Sequence, residues 1–328
     1  MNVQNKKVIL IGAGYWGTNI AKNLIKLNIK NLVIYDVNIK NAKLLNKRLG
    51  FKAKIQKNLN NLIFDKQNEY FIFATPPSKN LKLIEKTLIH DKKIFIEKPG
   101  FKNLKEINYL IKKYPKKIKN LTFGYIYVFN NYIKFIKKFV KNKKNGKILY
   151  VKFQRQNLGP IRNDIDVSYD LSAHDLSILI YLFGKNLKLI NYNSYKILNK
   201  NISDISNLSL KVKNFYADIN NSWINPDKIR RLIIITNKKM LLFDEMRQTE
   251  KIRIFNKYAE YPKIESLKDN FFFKKAKIYE GKNYSPSIKD NDTLLDEIKF
   301  FITDSKKKKN YTNIYFAKYI LWILDKLN

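Results

Sequence analysis

The sequence predicts an α/β protein, with a doubly wound parallel sheet followed by an α+β domain that has an open, mostly antiparallel sheet. Over residues 1–120, short apolar runs alternate with helical patterns, which is typical of parallel strands joined by helices. Within residues 121–328, several strand-like runs follow one another without helices, which favours antiparallel pairing. The 328 residues, 45% of them hydrophobic, suffice for two domains, which we place at 1–120 and 121–328.

A glycine-rich turn follows the first predicted strand. The run KKVILI, residues 6–11, leads into Gly12-Ala-Gly14-Tyr-Trp-Gly17 and then into the helical pattern TNIAKNLIKLN. A second apolar run, NLVIYD, ends at Asp36, nineteen residues after Gly17. A G-x-G-x-x-G turn between a strand and a helix, with an acid at about this distance, predicts the dinucleotide site of a Rossmann domain.

Each residue of this fingerprint has a physical task in binding a dinucleotide. Gly12 permits the tight turn, Gly14 lets a pyrophosphate approach the backbone, and Gly17 allows close packing of helix and strand. The N–H groups and the positive dipole end of the helix attract phosphates. The Asp36 carboxylate accepts ribose hydroxyls and repels a 2′-phosphate, which predicts NAD rather than NADP, although nearby lysines weaken the preference.

The remaining elements of the first domain alternate in the same way. Strands are predicted at 70–77 (YFIFATPP), 92–100 (KKIFIEKPG) and 121–129 (LTFGYIYVF), with helices at 78–89 and 101–114. The carboxyl ends of parallel strands form the ligand edge of such a sheet, and Thr75, Pro76, Glu97 and Lys98 fall at such ends. The Lys98–Pro99 bond can adopt cis at modest cost. An ordinary surface lysine before a turn remains the alternative for Lys98.

The second domain opens with an amphipathic helix and continues with strands. The helix covers NNYIKFIKKFVKNKKNG, and the next run, GKILYVKFQRQN, alternates between two faces. Further strands are predicted in NLSLKVKN, FYADINNSW, RRLIIITNKKMLLFDE and KIRIFN, and the third of these runs turns as a hairpin at residues 237–239. Two helices, LLDEIKFFI and NIYFAKYILWILDKL, close the chain.

The stretch YDLSAHDLSIL, residues 169–179, contains one of only two histidines in the chain. Ser172 and the acid three residues later form an S-x-x-D capping pattern, which predicts a helix that begins there and ends at Gly184. On this otherwise apolar helix, His174, Ser177 and Tyr181 share one polar stripe. The pattern therefore places His174 in the first turn of a buried helix.

The position of His174 suits a proton acceptor. The positive end of the helix dipole disfavours imidazolium and predicts a lowered pKa for His174, whereas Asp170 would act in the opposite direction on contact with the ring. A neutral histidine that can accept a proton is typical of a general base. A core histidine bonded to Asp170 is the alternative that the pattern leaves open.

Arg155 and Arg162 flank the stretch QNLGP just upstream. They are two of only seven arginines among 65 basic residues. We expect them to hold an anionic part of a substrate, a phosphate or a carboxylate, by forked hydrogen bonds. An ion pair with Asp164 or Asp166 explains them equally well.

The composition limits the functions that the chain can have. It contains no cysteine and two histidines, so disulfides, thiolate chemistry and a histidine-rich metal site are not expected, and no metal is predicted. The formal net charge is +38, but it comes mostly from lysines spread along the whole chain. A nucleic-acid surface would concentrate arginine, so we predict no specific nucleic-acid partner. With no apolar run near bilayer length, we expect a cytoplasmic protein without membrane contact.

In their order and spacing, IGAGYWGTN, ATPP, EKP and GPIRNDIDVSYDLSAHD resemble the Gfo/Idh/MocA oxidoreductases over essentially the whole chain. The resemblance implies a Rossmann domain followed by an α/β domain whose open sheet mediates a homodimer or homotetramer. The second motif looks most like the branch of surface polysaccharide synthesis that acts on UDP-N-acetylglucosamine-type sugars. Two positions depart from the family pattern: Ser177 stands where many members carry an acid, and Ala173 where that branch often has proline.

The resemblance also implies roles for individual residues. Lys98, Asp170 and His174 would be catalytic, Lys98 orienting the reacting oxygen and His174 or Lys98 taking the proton. Together with the glycine fingerprint and the strand ends, these roles predict NAD as the cofactor, bound by Gly12, Gly14, Tyr15, Trp16, Gly17, Asp36, Thr75, Pro76, Glu97 and Lys98. We predict that a sugar or nucleotide-sugar substrate contacts Lys98, Tyr127, Arg155, Arg162, Asp170 and His174. The alternative is a sensor that binds NAD on a dehydrogenase fold without catalysis.

Overall fold

The computed structural model describes residues 3–163, 165–198, 200–260, 276–303 and 310–327. The chain divides into two units, Met1–Asn130 with Asn291–Asn328, and Asn131–Asp290. Across the described ranges, no helix is both long and apolar enough to span a bilayer.

The chain contains helices and strands in the following order. The helices are α1 (Tyr15–Lys26), α2 (Ile39–Arg48), α3 (Leu59–Phe64), α4 (Pro77–Ile89), α5 (Leu104–Lys113), α6 (Asn131–Lys141), α7 (Ala173–Phe183), α8 (Thr293–Thr303) and α9 (Ile314–Leu324). The strands are β1 (Lys7–Ile11), β2 (Asn31–Tyr35), β3 (Lys54–Ile55), β4 (Tyr70–Phe73), β5 (Lys93–Glu97), β6 (Leu121–Gly124), β7 (Ile148–Leu158), β8 (Leu187–Tyr195), β9 (Ile205–Val212), β10 (Phe215–Ser222), β11 (Ile224–Thr236), β12 (Met240–Asp244), β13 (Ile252–Phe255), β14 (Lys257–Glu260) and β15 (Lys277–Glu280).

The first unit is built on a six-stranded parallel sheet in the order β3-β2-β1-β4-β5-β6. This is the predicted doubly wound sheet, whose strand order reverses between β1 and β4. The inner strands are apolar over their whole length, as expected for strands covered on both faces. Side chains of β1, β2, β4 and β5 form one core with α1, α2 and α8.

The two C-terminal helices, α8 and α9, belong to the first unit. The sequence analysis instead predicts that they are part of the second domain. In α8, the ring of Phe301 packs against Tyr70 and Phe95, with centroid distances of 5.8 and 5.6 Å. The amide of Phe123 in β6 donates to the carbonyl of Thr312, 2.8 Å away, just before α9. The predicted boundary at residue 120 therefore does not coincide with the observed division, because β6 and the last helices complete the parallel sheet and its core.

The predicted strand over residues 121–129 is shorter than expected. Strand β6 ends at Gly124, where its partner β5 also ends in the register pair Glu97–Gly124. A strand without a neighbour cannot continue its hydrogen-bond ladder, and the chain turns into the 3₁₀ segment Ile126–Phe129 instead.

The second unit is built on a seven-stranded mixed sheet in the order β13-β12-β11-β7-β10-β9-β8. Strands β7 and β10 are parallel, and the other neighbours are antiparallel. The predicted hairpin forms between β11 and β12, while β8 has no counterpart in the sequence prediction. In β7, Val151, Phe153, Arg155 and Asn157 are buried on alternate positions. The helix α7 is almost wholly buried and packs with α6.

Candidate functional site

The glycine turn after β1 has the geometry that its sequence requires. Gly12 has φ of +98°, a conformation that favours glycine, and its amide donates to the carbonyl of Tyr35 over 2.9 Å. A Cβ on Gly17 would lie 2.0 Å from the Gly12 oxygen, so only glycine lets α1 pack this closely. A Cβ on Gly14 would meet no protein atom within 4 Å. The turn and packing roles of Gly12 and Gly17 are thus confirmed, and the backbone at Gly14 is open to a ligand.

The N-terminus of α1 is suited to an anion. Its N-cap is Gly14, no side chain of the described structure caps it, and its first turn contains no acidic residue. Tyr15 is exposed and packs edge-on against Trp16, with ring centroids 5.7 Å apart. Uncapped N–H groups at the positive end of a helix bind phosphate well. The turn therefore fits the pyrophosphate of a dinucleotide.

The Asp36 carboxylate is held in place by backbone N–H groups. Its Oδ2 accepts from Ala13 over 2.7 Å and its Oδ1 from Asn38 over 2.8 Å. These bonds connect the turn after β1 with the loop after β2 and orient the carboxylate. Oδ1 also accepts from Nδ2 of Asn41 over 3.5 Å, and Oδ2 has a second acceptor site for a ribose hydroxyl.

Asn80 is a residue of this edge that the sequence analysis missed. Its Oδ1 accepts from the Thr75 hydroxyl, and its Nδ2 donates to the carbonyl of Gly100 over 2.6 Å. It thereby connects the segments that follow β4 and β5. The sequence contains an indication of its burial, because helical spacing places Asn80 on the same face of α4 as Ile84, Thr87 and Leu88, all of them buried.

The EKP stretch ends β5 with two acid–base groups in different surroundings. Lys98 is half-buried, and the Lys98–Pro99 bond is cis. Glu97 is buried, and burial raises the pKa of its carboxyl to about 7, against the opposing influence of the Lys98 charge. The Glu97 carboxyl lies against Gly124, so the predicted direct contact of Glu97 with a cofactor finds no support in its position.

Two other predicted residues of the first unit differ in exposure. Pro76 is exposed and forms the N-cap of α4, at the carboxyl edge of the sheet. Tyr127 is only 7% exposed and lies in the 3₁₀ segment after β6.

In the second unit, the helix that carries His174 begins earlier than predicted. A π-helical turn, Ser168–Ser172, runs directly into α7, and the Asp170 amide donates to the carbonyl of Asp166. Ser172 has helical backbone angles and does not cap, because its hydroxyl donates to Asn221 instead. His174, the second residue of α7, is therefore preceded by a further helical turn and does not lie at a free helix N-terminus.

Asp175 is an ion-pair partner and not the predicted cap. Its Oδ1 accepts from Nε and Nη2 of Arg155 over 2.9 and 2.8 Å, and its Oδ2 accepts from Asn221 over 3.2 Å. Arg155 is 5% exposed and Asp175 is 2% exposed. The guanidinium of Arg155 is turned to Asp175, so the prediction that Arg155 holds a substrate anion is not supported. The pair also differs from the predicted alternatives, Asp164 and Asp166.

Arg162 is placed differently from Arg155. Its Nη1 lies 3.7 Å from Oδ1 of Asp170, and about a third of its side chain is exposed. Asp166 instead accepts from the Ser203 amide over 2.7 Å, and Asp164 lies outside the described residues. Of the two predicted arginines, Arg162 is therefore the one that a ligand can reach, and it lies beside one predicted catalytic acid.

The predicted polar stripe of α7 is only partly accessible. His174 is half-buried, with its Nδ1 atom inside. Ser177 is fully buried and donates its hydroxyl to the His174 carbonyl over 2.6 Å. Tyr181 lies with the ammonium of Lys137 3.4 Å above its ring centre. Of the stripe, His174 remains the group suited to proton transfer.

Comparison with known proteins identifies the first unit. Residues 6–125 match the Gfo/Idh/MocA oxidoreductase family, described as having an NAD-binding Rossmann fold. The predicted family resemblance and the NAD cofactor are thereby confirmed for this domain. No curated protein sequence matches the chain.

Solved structures share the fold of nearly the whole chain. UDP-N-acetylglucosamine 3-dehydrogenase GnnA from Acidithiobacillus ferrooxidans is 17% identical, with 98% of this chain and 96% of that chain covered and a TM-score of 0.78. A myo-inositol dehydrogenase from Corynebacterium glutamicum is also 17% identical, covering 98% and 95%, with a TM-score of 0.75. GenD2 from gentamicin A biosynthesis, solved with NAD, is 13% identical, covering 99% and 93%, with a TM-score of 0.77. At these identities the similarity shows the fold.

Proposed function

We propose that this chain, whose residues 6–125 form a Gfo/Idh/MocA-family NAD-binding domain, is a dehydrogenase that oxidises a secondary alcohol of a sugar or nucleotide sugar. We further propose that it serves surface polysaccharide biosynthesis, as the resemblance of its second motif implies. The main observation that supports the proposal is the set of residues at the carboxyl edge of the parallel sheet. Along the strand order β2-β1-β4-β5, this edge presents Asp36, the glycine turn, Thr75 and Lys98.

This edge brings cofactor-binding and reactive groups together. Ligands of doubly wound sheets bind outside the carboxyl ends of the strands, near the point where the strand order reverses. The glycine turn and Asp36 lie on one side of this point, and Thr75 and Lys98 lie on the other. NAD, when bound, would supply the hydride acceptor. The chain would supply the groups that orient the alcohol and handle its proton.

Lys98 is proposed to hydrogen-bond the reacting oxygen. It is half-buried at the end of β5, where the adjoining segment is fixed by the bond from Asn80 to the Gly100 carbonyl. An ammonium held at this place stabilises negative charge that develops on an alcohol oxygen. A binding protein without catalysis would not need this residue at the sheet edge.

His174 is proposed as the general base, with Asp170 as a further member of the site. The residue after His174, Asp175, is held by its buried pair with Arg155, which fixes the helix that carries the imidazole. Arg162, beside Asp170, is proposed to contact an anionic or hydroxyl-rich part of the substrate. Tyr127, in the first unit, is also proposed to contact the substrate.

The substrate class is supported by chemistry and by similarity of fold. Two proteins that share the fold are named for a nucleotide sugar and for inositol, a cyclic polyol. A basic and an acidic group in the second unit, Arg162 and Asp170, suit polar substrates rich in hydroxyl groups.

The proposal is tested by following reduced-nicotinamide absorbance with purified protein, NAD or NADP, and a panel of UDP-sugars and free polyols. We expect turnover with NAD on at least one member. His174→Asn is expected to lower kcat by about 10²- to 10⁴-fold, the usual contribution of a general base. Lys98→Met is expected to lower kcat and kcat/KM together, because the bond strengthens in the transition state.

Two surface substitutions serve as matched controls. His90→Asn changes the other histidine, and Lys102→Met changes an exposed lysine four residues from Lys98. Both are expected to keep wild-type turnover. NAD binding without turnover on any member of the panel would instead favour the sensor. Near-full turnover of His174→Asn would leave Lys98 as the base.

A further inference from the structure

Two glutamates are buried close together behind the end of β5. Glu97 is 7% exposed and Glu297, on α8, is 0% exposed. Among the described residues, neither Glu297 oxygen nor Oε1 of Glu97 has a hydrogen-bond partner. The hydroxyl of Tyr125, just after β6, is also buried without a partner in the described structure. Several acid–base groups that the proposed reaction does not use thus share one interior region.

The fold makes room for this acid pair. Glu97 is paired in register with Gly124, and a Cβ at Gly124 would lie 3.0 Å from Oε2 of Glu97. Glu297 lies on the buried face of α8, which packs against the sheet. Phe316 of α9 closes the region by packing edge-on against the Tyr125 ring, 5.3 Å between centroids.

The surroundings of these carboxyls favour their protonated forms. Burial raises the pKa of Glu97 to about 7, while the Lys98 charge and its backbone N–H act in the opposite direction. Burial and the charge of Glu97 raise the pKa of Glu297 well above its ordinary value, while the Tyr125 backbone N–H opposes this. Burial likewise raises the pKa of Tyr125, which stays neutral. Two like charges in one buried site repel each other, so burial and repulsion both favour a proton on the pair.

We propose that the Glu97–Glu297 pair is a proton-holding site that responds to the charge of the nicotinamide. The pair lies directly behind Lys98, at the ligand edge of the sheet. Oxidised NAD carries one more positive charge on its nicotinamide than reduced NADH. A cation bound at this edge stabilises the carboxylate, so a proton leaves the pair to solvent when NAD⁺ binds, and none leaves when NADH binds. The inference depends on NAD binding, not on the identity of the alcohol.

The proton release can be measured without a substrate. Calorimetric titrations of the wild-type protein with NAD⁺ and with NADH, in buffers of different ionisation enthalpy, give the number of protons released on binding. We expect release of part of one proton per NAD⁺ near pH 7 and close to none per NADH. The affinity for NAD⁺ should then rise with pH, by at most about tenfold per pH unit for one linked proton.

Variants identify the group that releases the proton. The double variant Glu97→Gln with Glu297→Gln keeps the size of both side chains and removes both acids, so its NAD⁺ binding should release no proton. Glu69→Gln makes the same change at a half-exposed position of the same unit and should release protons as the wild type does. Each single variant then shows which acid carries the exchangeable proton.

The possible results separate this inference from the proposed function. NAD⁺ binding without proton release in the wild type, or undiminished release in the double variant, overturns the proton-holding pair and leaves the dehydrogenase proposal intact. Absence of NAD binding overturns both.

Discussion

The buried pair of Arg155 and Asp175 gives the sharpest stability prediction. The Arg155 side chain is 7% exposed and that of Asp175 is 2% exposed, so removing either partner leaves the charge of the other buried without this ion pair. Loss of one member of a buried ion pair typically costs about 3–5 kcal/mol. We therefore expect Arg155→Met and Asp175→Asn each to lower the free energy of unfolding of the second unit by about this amount.

The size of the effect follows from the contacts. Asp175 accepts two hydrogen bonds from Arg155 and one from Asn221, and no water-exposed surface compensates for their loss. The double variant Arg155→Met with Asp175→Leu removes both charges and should regain more than half of the loss, since apolar replacement of a buried pair is often neutral. Arg155→Lys keeps the charge but loses the paired guanidinium hydrogen bonds to Asp175. Its free energy of unfolding should therefore lie between those of the wild type and Arg155→Met.

Urea unfolding followed by circular dichroism gives these energies, and hydrogen exchange of the α7 amides reports on the helix that carries His174. The matched control is Lys257→Met, which breaks a cross-strand pair with Glu280 whose side chains are 47% and 65% exposed. It should unfold near the wild-type midpoint. If Arg155→Met also unfolds near that midpoint, the reasoning from burial is refuted.

Further predictions concern the first unit. Gly17→Ala forces a Cβ to 2.0 Å from a backbone oxygen and should lower the melting temperature, whereas Gly14→Ala meets no protein atom and should fold normally but bind NAD more weakly in calorimetry. Asp36→Ala should reduce the ratio of NAD to NADP affinity, because the charge that repels a 2′-phosphate is lost. Asn80→Ala leaves buried groups unpaired and should cost about 1–3 kcal/mol in urea unfolding. A carboxyl whose pKa is raised in the folded state binds more protons folded than unfolded, so it makes stability fall as pH rises from about 4.5 through its folded pKa. In Glu297→Gln, the free energy of unfolding should therefore fall less with rising pH above about 4.5 than in the wild type. An unchanged dependence of this free energy on pH would contradict the buried pair.

The sequence predicted the parallel sheet and its ligand edge because their signals are local. Gly12 needs a positive φ, Gly17 needs a close approach, and both belong to one strand–turn–helix unit. The alternation of apolar runs and helices then sets parallel topology, which brings the strand ends together without further information. The sequence alone therefore suffices to assign Asp36, Thr75 and Lys98 to one edge of the sheet.

Local sequence patterns do not predict which polar side chains pair in the interior. The sequence predicts a substrate ligand at Arg155 and a helix cap at Asp175, whereas the two side chains bind each other. Helical spacing places Asn80 on a buried face of α4, but it does not predict that Asn80 binds Thr75 and Gly100. A hydrophobic pattern shows that a position is buried, but it does not show which polar group it meets there.

The sequence by itself determined the fold class and the dinucleotide turn, because propensity, periodicity and spacing along the chain specify them. His174 and Lys98 remain predictions that rest on their positions and on the family resemblance. Only the tertiary structure decided that α8 and α9 complete the first unit, and that Glu297 lies beside Glu97 two hundred residues earlier in the chain. Burial and the charge of neighbours set the state of an ionisable group, and both depend on packing between segments that are remote in sequence.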